Sequence, residues 1–322
     1  MPRRKKIKEK VVQIVATPDP IYKPRVDAIL KEHKLDFTVV KSALTGTLDG
    51  EPAITPYFGL FNSKSRECIN TVKSGYGVSQ NWMLVEMVLK GAEKFTSDLE
   101  VAKAGALHGG RQVYLHLRVK GWGHVGKSQM VQYITFIDSN DGSTSLSVGI
   151  GDLDMSCENQ FYYFYKRGQA KFRHTLSIED KIKRIPDLLE VALGENMRQI
   201  KRYNSFLEHE IKPDLQHNLV HTILGYDKVL TPKEKYSTLS TKSINRMEGL
   251  YKHIKEETDS KGWNLWGLHS GVTSWTTHEL KGPKRKEANG RDESLLIGTS
   301  YKSNLLSFNF MKDKAKLVGE LA

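Results

Sequence analysis

The chain has 322 residues, enough to bury one large core or two modest ones without covalent staples. Its two cysteines, Cys68 and Cys157, exclude a disulfide framework, and with no CxxC pair or Cys/His cluster to suggest structural zinc, a reducing cytoplasm is the expected compartment. A formal net charge of +12 and a pI near 9.4 favour polyanionic partners but leave the chemistry open.

Residues 1–12 read as a flexible basic arm: Arg3, Arg4, Lys5, Lys6, Lys8 and Lys10 come with no periodicity that would bury them. The apolar run VVQIVA is too short for the core of a signal peptide. No run approaches a membrane span, so no membrane partner is expected. Pro18, Pro20 and Pro24 lead into a short helix, VDAILKEH, and a strand, FTVVKSAL; YFGLFNSKSRECINTV has the pattern of a hairpin about Asn62 to Ser65. In GYGVSQNWMLVEMVLKGAEKF, Ser79 stands as an N-cap, and Trp82, Val85, Leu89 and Ala92 recur at the spacing of an amphipathic helix.

The period then changes to two, predicting strands near residues 99–106, 111–120, 129–138 and 143–151, the last two joined by Asn140, Asp141 and Gly142. A helix is predicted for CENQFYYFYKRG, capped by Ser156. From residue 177 the pattern is helical, with Ser177 and Asp180 as a capping box, an apolar stripe from Leu189 to Leu207, and Pro186 as a kink or restart. Helices near 213–224 and 243–257 precede an aromatic block, WNLWGLHSGVTSWTTHELKG, and a flexible basic loop, KGPKRKEANGRDES. The expected fold class is α+β: an antiparallel sheet core flanked by helices, with a long helical segment in the C-terminal half. One domain spans 13–322, sheet-rich over 13–176, helical over 177–260 and aromatic over 261–322.

Candidates for chemistry are few. GWGHVGKS, residues 121–128, fits the letters of a phosphate-binding loop, but it joins two alternating strands, where a glycine turn is expected. His217 and His221 have chelating spacing without a third ligand, and His269 and His278 sit among tryptophans, where packing is expected. Cys157, at a predicted helix start, reads as a small buried residue. Asp138, Asp141, Asp152 and Asp154 could hold a divalent ion, although two occupy turn positions that favour Asp for backbone reasons. No catalytic residue, metal or cofactor is assigned.

The strand GRQVYLHLRVKG, residues 110–121, carries the functional expectation. Val113, Leu115, Leu117 and Val119 would face the core together with Leu146, Val148 and Ile150. The other face would present Tyr114, His116, Arg118 and Lys120 beside Ser145, Ser147 and Gly149. Cations and aromatics beside small residues suit a groove that tracks a single strand and stacks its bases, though the wet face of any antiparallel sheet alternates in the same way. Arg111, Arg118, Lys120, Lys127, Lys166, Arg167, Lys171 and Arg173 would neutralise phosphates. Tyr114 and Trp122 would stack on bases, and His116 completes the face.

Four stretches in order, ALHGGRQVYLHL, SNDGSTSLSVGIGDLDMSCENQF, KFRHTLSIEDKI and WNLWGLHSGVTSWTTH, resemble a phage and plasmid protein family of unknown function (domain of unknown function nine-three-two) over about residues 58–311. Where that family has Arg-Val-Val-Cys-x-Asn-Thr, this chain has Asp154-Met155-Ser156-Cys157-Glu158-Asn159-Gln160, so no role carries over for the arginine. A helix, antiparallel strands and a helix also look like the core of single-strand annealing proteins of the Rad-fifty-two type, a resemblance that implies a basic groove and a homo-oligomeric ring. The expected function is non-enzymatic binding of single-stranded nucleic acid, DNA before RNA, in the bacterial host of a phage or plasmid, with annealing in recombination as its finer form. Two alternatives stay open. One is a metal-dependent nuclease using the Asp138 to Asp154 cluster, or a nucleotide hydrolase using Lys127. The other is a host-interaction protein docking through the Trp-rich block at 263–275.

Overall fold

The computed structural model describes residues 17–95, 99–164, 171–226, 239–280 and 290–315, so the expected basic arm lies outside the described residues. The first elements are α1 (Lys23–Glu32), a three-stranded antiparallel sheet of β1 (Val39–Leu48), β2 (Glu51–Asn62) and β3 (Cys68–Lys73), and α2 (Asn81–Glu93). Pro24 sits in the first turn of α1, where a missing N–H costs nothing. The β2–β3 turn falls at the expected place, with Asn62 Oδ1 accepting from the amides of Lys64 and Ser65 at 2.9 and 3.2 Å. Ser79 does not cap α2. The N-cap is Gln80, whose side chain exchanges two 2.9 Å hydrogen bonds with the Val39 backbone and ties the helix start to β1.

The larger sheet has β4 (Leu99–Leu107), β5 (Gln112–Val125), β6 (Ser128–Ser139), β7 (Leu146–Asp154) and β8 (Gln160–Phe164) in chain order, with β9 (Lys171–Phe172) also on β7. All pairs are antiparallel. Gly126 and Lys127 form the turn of the β5–β6 hairpin, with Val125 opposite Ser128 and Gly126 at φ 57°. A turn between antiparallel strands opens no helix, so the phosphate-loop reading fails. The helix predicted for CENQFYYFYKRG is also corrected over residues 157–164, the remainder lying outside the described residues. Ser156 donates from its amide and hydroxyl to Asp154 Oδ1, at 2.9 and 2.6 Å, and Glu158 takes a left-handed conformation at φ 56°. The chain therefore folds back, and the aromatic residues that follow enter the ladder as β8, which suits their strand propensity.

One face of this sheet carries Leu115, Ile134, Phe136 and Val148, and it packs on α2 and on α4 (Ile185–Leu207), which follows the short α3 (Ile178–Ile182). Ser177 makes no cap bond; its hydroxyl lies 3.0 Å from that of Thr175. The helix restarts at Ile185 with Pro186 in the first turn, as the sequence predicts. α4 spans two apolar clusters: Leu188, Leu189 and Ala192 belong to the first. Tyr203 and Phe206 join the second, with α5 (Pro213–Leu224), α6 (Thr241–Lys261), α7 (Leu265–Ser274) and α9 (Thr299–Lys314). Between α7 and α9 lie a π-helical turn (Trp275–Glu279) and α8 (Gly290–Leu296), so residues 290–294 of the predicted flexible loop are helical, while 281–289 lie outside the described residues. Among the described residues no helix is long and apolar enough to cross a membrane.

α6 and α7 cross closely. A Cβ on Gly271 would fall 2.4 Å from Ile254 Cα, a backbone atom that cannot swing aside. Gly271→Ala should therefore lower the unfolding free energy by roughly 1–2 kcal/mol in urea titration, overpacking outweighing a helix-propensity gain of about 1 kcal/mol. An unchanged midpoint would show that the crossing yields.

Candidate nucleic-acid interface

The second face of β5 carries Tyr114, His116 and Arg118 as expected, with β6 between it and β7, and Ser145 precedes β7 rather than lying on this face. Tyr114 lies opposite Ile137, which faces Ser147; His116 opposite Thr135, facing Gly149; and Arg118 opposite Tyr133, facing Gly151. It is not open, because α8 lies across it. Tyr114 and His116 are only 1 % and 3 % exposed. The Tyr114 hydroxyl donates to Asp292 Oδ2 at 2.6 Å, and Lys103 pairs with Asp292 Oδ1 at 2.7 Å. Leu295 and Leu296 close the layer over Leu107, Tyr114, Ile137 and Tyr162. His116 stacks on Tyr162, ring centroids 5.1 Å apart, with Nδ1 2.8 Å from Thr135 Oγ1. Gly105 and Gly151 make room: a Cβ would fall 2.8 Å from the Tyr114 ring and 2.5 Å from that of Tyr162.

Tyr114 and His116 are thus removed from any role in stacking on bases, because a strand's alternation shows that its faces differ without showing that the second is wet. Arg118 is half-buried, 3.7 Å from Glu100. Trp122 falls in the register shift between Val119 and Gly123.

Burial pushes the imidazole of His116 down to about 3 from an ordinary 6.5. A histidine held neutral favours the folded state above its ordinary value, and that advantage drains away as the pH falls from about 6.5 towards 3. Wild-type stability measured by urea unfolding should fall more steeply than that of His116→Phe between pH 7 and 5. Parallel curves would show that His116 is not held neutral.

The exposed cations fall at two ends of the sheet. Arg111 precedes β5, Lys171 pairs with Ser147 at the start of β7, and Arg173 follows β9, all at one end. From β5 to β9 is three strand spacings, roughly 14 Å. Lys181 of α3 joins this end, donating to the Arg173 carbonyl at 3.2 Å. Lys120 and Lys127 are at the other end, Lys120 being roughly 30 Å along the strand from Arg111. Lys166 and Arg167 lie outside the described residues, in the stretch linking β8 to β9. Of 49 Lys/Arg and 37 Asp/Glu in the chain, 33 and 31 are among the described residues, a net of +2 against +12 overall. The surplus resides chiefly in residues 1–16, 165–170 and 281–289.

The four aspartates are spoken for individually. Asp138 accepts from Ser79 at 2.7 Å and pairs at 2.7 Å with His174 Nε2, whose ring stacks on Tyr76. Burial pulls His174 down, but the charge and hydrogen bond of Asp138 outweigh it and leave it raised. Asp141 holds the Ser143 amide at 2.9 Å. Asp152 lies under α4, 3.0 Å from the Tyr203 hydroxyl, and burial pushes its carboxyl up to about 7. Among the described residues no group of three or more His, Cys, Asp and Glu could hold a metal ion.

Sequence reasoning missed the centre of one polar cluster. Lys261, with its side chain 8 % exposed, sits 2.8 Å from Asp154 Oδ2, 2.6 Å from Glu257 Oε2 and 3.3 Å from Cys157 Sγ. Asn159 donates to Glu257 Oε1 at 3.0 Å and to the Ser270 carbonyl at 3.3 Å, and His278 Nε2 lies 2.8 Å from the Cys157 carbonyl. The cluster fastens the β7–β8 turn to α6 and α7. Burial pushes the Cys157 thiol up to about 11, so it is protonated at neutral pH and is not an activated nucleophile. Lys261→Met should cost about 3–5 kcal/mol, since two carboxylates lose their buried cation, and adding Glu257→Gln should restore part of it in urea unfolding. A cost below about 1 kcal/mol would deny the cluster this role.

A family model described as Domain of unknown function (DUF932) matches residues 68–296, from β3 through α8. No curated protein and no solved structure matches the chain.

Proposed function

Because the chain belongs to the DUF932 family, a description that assigns no activity, we propose that it binds single-stranded nucleic acid at the sheet end marked by Arg111, Lys171 and Arg173, without catalysing a reaction. The observation that carries this is the separation of charge: the described body is nearly balanced, and β9, which the basic stretch 165–170 precedes in the sequence, begins at that end with Lys171 opposite Ser147. Cations that follow a backbone bind by releasing counterions and need no catalytic group. A duplex reader would insert a helix or two-stranded ribbon into the major groove. The projecting β1–β2 ribbon has the wrong charge for that, with Asp49 and Glu51 and no Lys or Arg between Lys41 and Lys64. Annealing of complementary strands for a phage or plasmid, in a bacterial cytoplasm, is the finer form of this reading and draws on the resemblance to Rad-fifty-two-type proteins.

The test is fluorescence anisotropy of a labelled oligonucleotide at low and high salt. Binding should weaken as salt rises. Replacing Lys166, Arg167, Lys171 and Arg173 by Ala should weaken it further and lower the salt slope by roughly 3, at about 0.7 for each phosphate no longer neutralised. The Lys120→Ala/Lys127→Ala variant should bind as wild type. Absence of binding at low salt overturns the proposal, and magnesium-dependent degradation of the oligonucleotide would replace it with a nuclease.

A further inference from the structure

β3 pairs with β2 only from Tyr57 to Phe61, so beyond Tyr57 the β1–β2 hairpin continues as a two-stranded ribbon. Leu48 near its tip is 68 % exposed and Tyr57 at its base 45 %. A lone two-stranded ribbon is marginal in water. β1 is moreover an edge strand throughout, and Ser42 to Leu48 contains no charge or proline of the kind that normally guards an edge. The nearest cation, Lys41, is turned aside onto the carbonyls of Ser74 and Tyr76 at 2.8 and 2.7 Å. The one irregularity is a register shift at Leu44, whose carbonyl is taken by Thr55 Oγ1 at 2.7 Å. The opposite edge of the same sheet, β3, carries no further strand among the described residues and is bracketed by exposed Arg66 and Lys73.

We propose that this ribbon is a docking arm for a second copy of the chain, the outer edge of β1 pairing with the outer edge of β3 in the next copy. Charge selects this occupant: the ribbon turn bears Asp49 and Glu51, and the β3 edge, across exposed Arg66, Glu67 and Lys73, is net positive. An acidic arm on a chain of net +12 is complementary to its own kind and repelled by the polyanion that the rest of the chain attracts. Different surfaces meet on the two copies, so the contact is heterologous and either closes as a ring or grows. It needs no nucleic acid, so its failure and that of the binding proposal are separable.

Light scattering after size exclusion, with no nucleic acid present, tests the assembly. The wild-type chain should be oligomeric. Leu48→Lys/Asp49→Lys should weaken association on the order of tenfold or more at unchanged thermal stability, and adding Arg66→Glu/Lys73→Glu should recover it. With Cys157→Ala in the background, Thr47→Cys should cross-link under oxidation to native Cys68, exposed on β3, giving a covalent ladder that Cys68→Ser abolishes. A monomeric wild-type chain, an oligomer indifferent to the charge reversal, or a covalent species that survives Cys68→Ser overturns the proposal.

Discussion

The pleat of β5 makes two faces from one strand, and the rest of the architecture follows from both being buried along most of its length. The apolar face accepts α2 and α4, the ordinary arrangement for a sheet that needs a hydrophobic cover. The second face is sealed by a different device. Tyr114, His116 and Tyr162 form an aromatic layer whose flat seating requires glycine at 105 and 151, and Asp292 fixes α8 over it through Tyr114 and Lys103. A surface that would serve for stacking bases is used to hold a helix. Beyond this cover the exposed Arg111, Lys171 and Arg173 lie at one end of the sheet, and Lys120 and Lys127 at the other.

Buried charge is used as fastening in the same way. Asp138 joins the start of α2, the end of β6 and the segment after β9 through Ser79 and His174. His174 is raised above its ordinary value, so this pair contributes fully below about 6.5 and its contribution is lost as the pH climbs through the raised value. His116 has the opposite sign, favouring the fold above 6.5 and opposing it in acid. Lys261 plays for the β7–β8 turn the part Asp138 plays for α2: Asp138 bonds Ser79 and pairs with His174, and Lys261 pairs with Asp154 as well as with Glu257 of its own helix. Removing one partner from such a cluster strands its other charges in the interior, whereas an apolar replacement of the whole cluster at matched volume can be as stable.

The described body is nearly balanced in charge, which limits self-repulsion in the compact state, and most of the net +12 belongs to residues 1–16, 165–170 and 281–289. The turn of the β1–β2 ribbon carries the opposite sign, at Asp49 and Glu51.

The sequence alone determined what depends on near neighbours. The period of two placed β4 to β7 and separated Val113, Leu115 and Leu117 from Tyr114, His116 and Arg118; Asn62 marked a turn, and Pro186 marked where α4 begins. Those features follow from backbone geometry and so can be read locally. Long-range competition decided the rest. CENQFYYFYKRG has a helical look, but an exposed ladder on β7 and an Asp154-centred turn drew its Gln160–Phe164 part into the sheet. Ser79 and Ser177 had the right spacing for caps and found other partners, Asp138 and Thr175. Asp292 lies 178 residues from Tyr114, and no local pattern announces that it would close the face of β5. Alternation reports that two faces differ; which of them stays wet depends on what the distant parts of the chain bring to cover it.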